Sequence, residues 1–246
     1  MDPYPDLQVL FCDPALLVVN KPTGLSTLPD GYDPHLPHVR RLLEPGYGRL
    51  WIVHRLDKDT TGVLLLARSA EAHRALNTQF DQHEVHKVYH ALVFGAPGWR
   101  EQTVDLPLRP NGDRHHRTVV DPRHGKPAIT HLKVLERMGG YCLVEALPET
   151  GRTHQIRAHL GACGLSIVGD KLYEVKIEHQ SRAKASPAAA LSTPGMSMAK
   201  GMALHSRVLE VNHPLTGERV KFKAPYPAEF EALLQRLRSN AASGWA

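Results

Sequence analysis

The sequence predicts an α+β fold with a mixed, partly antiparallel sheet. Apolar, partly β-branched segments of strand length are interspersed with segments of helical period in no regular order, and no internal repeat is present. Two of the strand-like segments, 128–136 and 141–147, lie on either side of Gly139 and Gly140, a pair that fits a tight hairpin turn. The sheet is therefore at least partly antiparallel.

The first half of the chain contains the clearest strand patterns. Strands are predicted at 16–20, in the apolar runs that flank a charged loop within 50–67, and at 87–94. A helix is predicted over 69–82, because Ser69 can cap its first turn and apolar residues recur on one face. Residues 29–49 are broken by prolines and glycines.

The second half predicts a short helix at 153–162, ended by Gly164, and a closing helix with an apolar face formed by Phe230, Leu233, Leu234 and Leu237. Strands at 204–211 and 219–223 flank a turn at 214–217. Residues 174–201 are rich in Ala, Ser, Lys and Pro without periodicity, which predicts a mobile loop.

The composition is that of an ordinary globular protein. With 246 residues, 42% of them hydrophobic and 22% charged, the chain is long enough for one large core, and residues 1–246 are predicted to form a single domain. The start of the chain has no basic segment followed by an apolar one, and no apolar run approaches the roughly 18 residues of a membrane span. We expect a cytoplasmic protein with no membrane partner, and a monomer by default.

Neither disulfides nor metal sites are predicted. The three cysteines are far apart and odd in number, which is atypical of a disulfide framework and of a paired-cysteine zinc site. The sixteen histidines include His154 and His159, but their spacing of five positions differs from that of a helical zinc pair, and no glutamate lies between them.

An excess of positive charge favours a polyanionic partner. The formal net charge is +5 and the sequence pI is about 9.2. Within residues 109–126, which we name the basic arm, five basic residues against two acidic ones give a local excess of +3 (5 − 2). The basic arm is a candidate for phosphate contacts, and a solvated surface loop is an equally good interpretation of this segment taken alone.

The charged loop between the two apolar runs holds the most informative residue, Asp57. It is surrounded in sequence by His54, Arg55 and Lys58, and such a cationic neighbourhood favours the ionised carboxylate that a nucleophile or base needs. For an isolated loop, a turn built on Asp57 and Asp59 with solvated cations is the alternative.

A second charged cluster, residues 149–160, opens the predicted short helix. The free N–H groups and the dipole at a helix start suit a phosphate or a carboxylate, and Arg152 and Arg157 add positive charge there. Tyr89 supplies an aromatic face from strand 87–94. A carboxylate at Asp57, a cation to hold it and an aromatic ring form a set that suits chemistry on a nucleobase.

In these motifs the chain resembles the RluA-type RNA pseudouridine synthases, which convert uridine in RNA to its carbon-linked isomer without a cofactor. Residues 54–57 (His-Arg-Leu-Asp) with 60–62 (Thr-Thr-Gly) are similar to the family's catalytic-loop signature, and 87–89 (Lys-Val-Tyr) to its tyrosine motif. The arginine motif is similar to residues 151–157 followed by 167–173. Segments 20–25, 125–128, 203–205 and 213–214 match in the same order, so the resemblance covers nearly the whole chain.

Departures from the family pattern are few. Thr61 stands where the family usually has serine, which keeps the hydroxyl, and Gly201 occupies the usual place of an arginine, which removes one expected RNA contact. A separate N-terminal RNA-binding domain, present in many relatives, is not expected, because residues 1–15 are too few for one.

The resemblance implies the pseudouridine synthase fold, a mixed and largely antiparallel sheet with flanking helices and a central RNA-binding cleft, and no cofactor. It implies that Asp57 is the catalytic nucleophile or base, that Arg157 pairs with it, and that Tyr89 stacks on uracil and serves in proton transfer. Arg55 would enter the space left by a flipped-out uridine. The remaining RNA-binding residues expected are basic: His54, Arg152, Arg114, Arg117 and Lys126.

Other interpretations remain open from the sequence. Taken singly, Arg157 fits a residue that only neutralises its own helix surroundings, Tyr89 a core aromatic residue of a strand, and Arg55 a phosphate contact without intercalation. The whole chain also fits a non-catalytic RNA-binding or chaperone protein on the same fold. A hydrolase acting on a sugar is a weaker alternative, because it needs two acting carboxylates and only Asp59 is close in sequence. The motifs suit ribosomal or transfer RNA as the partner and do not distinguish between them.

Overall fold

The computed structural model describes residue 4 and residues 7–29, 31, 33, 35–173 and 201–242. The segment predicted to be mobile, 174–201, lies outside the described residues except for its last position. The chain divides into two compact units, Met1–Tyr89 with His205–Tyr226 and His90–Leu204 with Pro227–Ala246. That residues 1–246 act as one domain stays a prediction.

Strands and helices follow one another in mixed order through the described residues. The strands are β1 (Gln8–Cys12), β2 (Leu16–Lys21), β3 (Trp51–Ile52), β4 (Thr61–Ala67), β5 (His86–Phe94), β6 (Glu101–Asp105), β7 (Leu108–Arg109), β8 (Val119–Val120), β9 (Ile129–Met138), β10 (Tyr141–Pro148), β11 (Ser166–Ile167), β12 (Leu204–Asn212) and β13 (Arg219–Lys223). The helices are α1 (Val39–Tyr47), α2 (Ala70–Asp81), α3 (Gln155–Ala162) and α4 (Ala228–Ala242). The predicted α+β class, with a mixed and mostly antiparallel sheet, is confirmed.

The first unit is built on a mixed sheet in which β1, β2, β4 and β12 are neighbours in that order. β3 also pairs with β4, and β13 pairs with β12. The pairing of β4 with β12 is parallel, whereas β1 with β2 and β2 with β4 are antiparallel. Every residue of β4 is buried, which explains why its sequence is a continuous apolar run without polar alternation.

Two hydrophobic clusters cover the opposite faces of this sheet. Because successive strand residues point to opposite faces, Val63 and Leu65 pack in the cluster that includes Ala72 and Leu76 of α2. Their neighbours Leu64 and Leu66 pack in the cluster that includes Val39 and Leu43 of α1. The sheet of the first unit therefore lies between two helices, and the loop that precedes β4 lies at its rim.

The two helices of this unit differ in how well the sequence predicts them. For α2 the predicted cap is confirmed, because the Ser69 hydroxyl accepts a hydrogen bond from the Ala72 N–H at 3.0 Å. The sequence pattern did not predict α1, which lies within 29–49 and contains Pro45. His38 caps that helix through its imidazole Nδ1, which accepts from the Arg41 N–H at 3.4 Å. Pro45, in the last turn, has no N–H to donate to the helix.

The second unit contains the predicted hairpin, in which β9 and β10 pair antiparallel around Gly139 and Gly140. β6 extends this hairpin on the β9 side, and β7, at the start of the basic arm, forms a separate two-stranded sheet with β8 of the arm. α3 begins two residues later than predicted, and Gly164 follows it with φ of +74°, as expected of a helix end. The predicted apolar face of α4 is buried.

Candidate active site

The Asp57 loop, residues 53–60 between β3 and β4, is anchored immediately before its carboxylate. Leu56 is buried, and its backbone is held on both sides by Thr27, whose hydroxyl donates to the Leu56 carbonyl at 2.9 Å and accepts from the Leu56 N–H at 3.2 Å. The Thr60 N–H donates to the Asp57 carbonyl at 3.1 Å and closes the turn. Asp57 itself is half-buried, while Arg55 is exposed. The loop thus combines a fixed backbone with an accessible cation.

A fully buried lysine anchors the loop immediately after the carboxylate. Lys21 Nζ donates to the carbonyls of Lys58 at 2.9 Å, Leu25 at 2.8 Å and Pro22 at 2.9 Å. Burial lowers the pKa of Lys21 to about 7, against the opposing influence of the carboxylates of Asp59 and Asp57. The sequence alone assigned Lys21 no role, although it lies in the matched segment 20–25.

Tyr89 lies in the electrostatic field of Asp57. Its ring is partly buried against the same cluster as Leu56, and its hydroxyl shares a hydrogen bond with the side chain of the buried Ser206. Burial raises the pKa of Tyr89 to about 12; the Ser206 bond opposes this rise and the Asp57 charge adds to it. Tyr89 therefore keeps its proton near neutral pH, which suits a stacking or proton-donating group better than a base.

β12 pairs in parallel with the start of β4. The Thr61 hydroxyl lies 2.8 Å from Nδ1 of His205, whose Nε2 faces the Ala224 carbonyl at 3.4 Å. Because a carbonyl only accepts, Nε2 carries the proton and Nδ1 accepts from Thr61. Gly62 has φ of +106°, and a Cβ at this position would overlap the Ser206 carbonyl oxygen. A glycine is required here both for its φ and for this close backbone approach.

His54 has a packing role in the Asp57 loop. Its Nε2 accepts a hydrogen bond from the Leu65 N–H at 3.0 Å, and its ring stacks on Phe80 with the centroids 5.0 Å apart. Burial, followed by the nearby Lys87 cation, lowers the pKa of His54 to about 3. The ring is therefore neutral, as an acceptor must be. The contact with RNA predicted for His54 stays a prediction.

Arg157 of the second unit is held by a bidentate ion pair with Asp170. Its Nε donates to Asp170 Oδ2 at 2.7 Å, and its terminal nitrogen Nη2 donates to Oδ1 at 2.8 Å. The guanidinium carbon lies 4.9 Å from the centroid of the Tyr173 ring. The sequence did not predict this ion pair with Asp170. The pairing of Arg157 with Asp57, implied by the family resemblance, stays a prediction.

A buried amide shapes the segment that carries Arg152. Gln155 Oε1 accepts from the Thr150 hydroxyl at 2.7 Å and from the Arg152 N–H at 2.9 Å. Its Nε2 donates to the Ile129 carbonyl at 2.9 Å and to the Thr130 hydroxyl at 3.0 Å. Arg152 Nε in turn donates to the Pro127 carbonyl at 3.0 Å. The sequence did not single out Gln155, although it lies within the arginine motif.

Two arginines of the basic arm are paired with aspartates, so the arm presents less positive charge than its sequence suggests. Arg117 is paired with Asp113 at 2.6 Å, and Arg109 with Asp121 at 2.6 Å. Arg114 and Lys126 are exposed. Phosphate contacts by Arg114, Arg117 and Lys126 stay predictions, with Arg114 and Lys126 the better placed because they reach solvent.

The described residues contain neither a candidate metal cluster nor a helix that could span a membrane. In the described ranges, no group of three or more His, Cys, Asp or Glu side chains could hold a metal ion. No helix among the same residues is long and apolar enough to cross a membrane.

Comparisons with known proteins identify the family. Residues 15–162 match the family model described as RNA pseudouridylate synthase. The chain is 37% identical to the uncharacterized RNA pseudouridine synthase YlyB of Bacillus subtilis, covering 96% of this chain and 74% of that protein. It is 36% identical to the ribosomal large subunit pseudouridine synthase D of Pseudomonas aeruginosa, covering 96% and 73%.

Two further similarities indicate the same family. The dual-specificity RNA pseudouridine synthase RluA of Escherichia coli K12 is 36% identical, over 90% of this chain and 94% of that protein. The solved structure titled human RNA pseudouridylate synthase domain containing 4 has a TM-score of 0.74 and 28% identity, covering 94% of this chain and 93% of that one. The chain belongs to the RNA pseudouridine synthase family, whose members are isomerases acting on RNA. Within that family it is of the RluA type, which confirms the resemblance; the non-catalytic alternative gains no support.

Proposed function

We propose that this protein isomerises uridine to pseudouridine in structured ribosomal or transfer RNA, with Asp57 acting on the target nucleotide. The observation that carries the proposal is the position of Asp57, half-buried between two anchored neighbours and close enough to Tyr89 to raise its pKa. A relative named for the large ribosomal subunit supports ribosomal RNA as a substrate, and a relative named for dual specificity supports more than one RNA substrate. We expect the protein to act in the cytoplasm and as a monomer.

The reaction exchanges one bond to the ribose for another. The bond from the ribose to a uracil nitrogen breaks, the uracil turns, and a bond forms from the same ribose carbon to a uracil carbon. That carbon loses its hydrogen as a proton and the freed nitrogen gains one, so atoms and charge balance. Asp57 can begin the reaction at the sugar or at the base, and both routes use its ionised carboxylate.

Tyr89 and Arg157 assist Asp57 in this scheme. Tyr89 supplies a flat, protonated ring that stacks on the uracil and can donate its hydroxyl proton, in accord with its raised pKa. Arg157 supplies the cation that pairs with Asp57.

Access to the target requires that the uridine leave its stack. Unstacking costs a few kcal/mol, and Arg55, exposed on the Asp57 loop, can offset part of that by stacking in the gap. The other basic residues proposed to contact RNA are His54, Arg152, Arg114, Arg117 and Lys126.

The deciding experiment is Asp57→Asn, with Asp59→Asn as the matched control two positions away. RNA labelled with tritium at the uracil carbon that forms the new bond releases the label as pseudouridine forms. We expect no release above background with Asp57→Asn and substantial release with Asp59→Asn, while circular dichroism shows both folded. Undiminished release with Asp57→Asn would refute the proposal, and released uracil would instead indicate a sugar hydrolase.

The RNA target is identified by a second experiment. Pseudouridines are mapped across total RNA from cells with and without the gene, and purified protein is then tested on the RNA that loses a site. Loss of a site in ribosomal or transfer RNA is expected. An unchanged map in both classes would exclude them as substrates.

A further inference from the structure

β13 places three basic side chains on one face of the sheet of the first unit. Along this strand Phe222 is buried in the cluster that includes residues of α2, whereas Arg219, Lys221 and Lys223 are exposed. Because successive strand residues point to opposite faces, these three basic residues, which we name the β13 strip, lie on the face away from α2. Neighbours in the strip are two residues apart, which is about 7 Å along the strand.

The same face of the sheet leads to Tyr89. β13 pairs with β12 in a regular antiparallel register, in which Lys223 lies opposite Val208. Ser206 is two residues before Val208, so its side chain points to the same face. Ser206 shares a hydrogen bond with the side chain of Tyr89, whose ring packs in the cluster that includes residues of α1. The β13 strip therefore begins about 8 Å from the Cα of Ser206 and leads away from it for about 14 Å.

One carboxylate on this face neutralises part of the charge of the β13 strip. Glu210 lies 2.9 Å from Lys221 Nζ and 3.9 Å from Arg219 Nε, and His86 is 3.8 Å away on its other side. Lys221 nevertheless stays 62% exposed. Lys223, the member nearest Ser206, has no ion-pair partner among the described residues. Three cations against this carboxylate give a local excess of +2 (3 − 1) before His86 is counted.

We propose that the β13 strip binds successive phosphates of the RNA strand that carries the target uridine. This inference rests on the proposed function, which makes RNA the partner. A straight row of exposed cations suits the regular row of phosphates along an RNA strand, and phosphate contacts fix the position of a nucleic acid without reading its sequence. Because the strip begins near Ser206 and Tyr89, it holds the strand where it leaves the site, and the RNA must extend several nucleotides to one side of the uridine.

A different use of the same lysines makes an opposite prediction. Among the described strands β13 joins the sheet through β12, and exposed lysines on such an outlying strand can serve to prevent pairing with other chains. In that case neutral variants of the β13 strip would self-associate and bind RNA as tightly as the wild type. Gel filtration together with RNA binding separates the two roles.

The first test is the double variant Lys221→Gln/Lys223→Gln. The probe is a fluorescein-labelled RNA stem–loop with uridines in its loop, and its affinity is measured by fluorescence anisotropy at several salt concentrations. Loss of two phosphate contacts should reduce the slope of log affinity against log salt concentration by about 1.4 to 1.8. A slope equal to that of the wild type would overturn the proposal, whether or not the variant self-associates.

The matched control for this variant is Arg74→Gln/Arg238→Gln, which removes the same charge from two exposed arginines outside the strip. Arg74 lies on α2, which covers the other face of the sheet, and Arg238 is already paired with Glu136. The control should keep the wild-type slope. A reduction as large as that of the strip variant would show that net charge alone is responsible and would overturn the proposal.

The second test adds binding instead of removing it. Glu210→Gln frees Lys221 and Arg219 from their carboxylate, so the affinity for the stem–loop should rise and the salt slope should steepen by about 0.7 to 0.9. Glu136→Gln is the control, because Glu136 also pairs with a basic residue but lies outside the strip. A Glu210→Gln slope no steeper than that of the wild type would count against the β13 strip as an RNA contact.

Turnover separates failure of this inference from failure of the proposed function. On the RNA found by pseudouridine mapping, Lys221→Gln/Lys223→Gln should raise KM about tenfold and keep kcat within about twofold of the wild type, because phosphate contacts away from the reacting bond are the same in the ground state and the transition state. An unchanged KM in an active enzyme would refute the strip alone. A wild type that binds the stem–loop and isomerises no RNA would refute the function, while the salt slopes would still decide whether the β13 strip binds RNA.

Discussion

Lys21 Nζ lies 2.9 Å from the carbonyl oxygen of Lys58, the residue after Asp57. The same ammonium binds two more carbonyls, those of Pro22 and Leu25, so each of its three protons has an acceptor. A fully buried cation thus joins the end of β2 to the Asp57 loop. It places a positive charge close enough to Asp57 for their interaction to raise the Lys21 pKa against the effect of burial.

Lys21→Met is expected to destabilise the protein and to impair catalysis. The substitution leaves three carbonyls without their donor, and a loss of about 3 kcal/mol in the free energy of unfolding is expected. Urea unfolding measures this loss, and kcat should fall further than stability alone explains because the loop is released. Lys133→Met removes an exposed lysine paired with Glu101 and should have a much smaller effect. Equal losses in the two variants would contradict this interpretation.

Gly62→Ala is expected to disrupt the junction between β4 and β12. The new Cβ would overlap the Ser206 carbonyl oxygen, and backbone must move to relieve it. We expect a loss of several kcal/mol in the free energy of unfolding, of the size typical of backbone strain with overpacking. Gly217→Ala is the control, because Gly217 has φ of +73° but open space around it. Thermal melts that show similar losses of stability in Gly62→Ala and Gly217→Ala would refute the explanation by close backbone approach.

The stability of the protein should depend on pH through His54. The unfolded ring takes a proton near pH 6.5, whereas the folded ring resists it down to a pKa of about 3. The unfolded state therefore binds more protons between these values, so the contribution of His54 is fully present above pH 6.5 and is lost as the pH falls toward 3. His54→Gln should flatten this dependence by up to about 1.4 kcal/mol per pH unit.

Urea unfolding at several pH values between about 4 and 7 checks this expectation, because that range spans most of the interval in which only the unfolded ring is protonated. His124→Gln, at a side chain that is 73% exposed, should keep the wild-type slope. If the free energy of unfolding of the wild type and of His54→Gln had the same slope against pH, the ring would not be kept neutral by burial.

RNA binding should weaken with salt, and part of that dependence should come from Arg114. Each phosphate contact contributes about 0.7 to 0.9 to the slope of log affinity against log salt concentration. Arg114→Ala should lower the slope by about that amount. Arg238→Ala removes an exposed arginine already paired with Glu136 and should not change it. An Arg114→Ala slope equal to that of the wild type would remove Arg114 from the RNA-binding residues.

Most of the elements that were predicted correctly were recognised from local sequence patterns. The apolar run of β4, the Ser69 cap of α2 and the glycine pair between β9 and β10 are all confirmed, because each depends on neighbours in sequence. β6 and the short β7 and β8 strands were missed, since their residues are too polar or too few to give a clear period. α1 was missed because Pro45 and Gly46 mask a cap made by histidine.

The candidate site residues were proposed by residue type rather than by contact. Asp57, Tyr89 and Arg157 were proposed from charge, aromatic character and motif order, and their roles stay predictions. Lys21, Ser206 and Asp170 were not assigned roles, because their importance comes from partners distant in the chain: Lys21 binds Lys58, 37 positions away, and Asp170 binds Arg157, 13 positions away. Short motifs show which residues carry chemistry, whereas the residues that hold them in place emerge from tertiary contacts.

The placement of β12 also sets an order of events during synthesis. Thr61 and its partner His205 are 144 positions apart, so the ribosome completes the Asp57 loop long before it makes the strand that closes the loop. A nascent chain that ends before β12 lacks the partner of Thr61 and the backbone against which Gly62 lies. Nascent chains that end before β12 are therefore expected to be inactive, which keeps the enzyme silent until that strand has been synthesised.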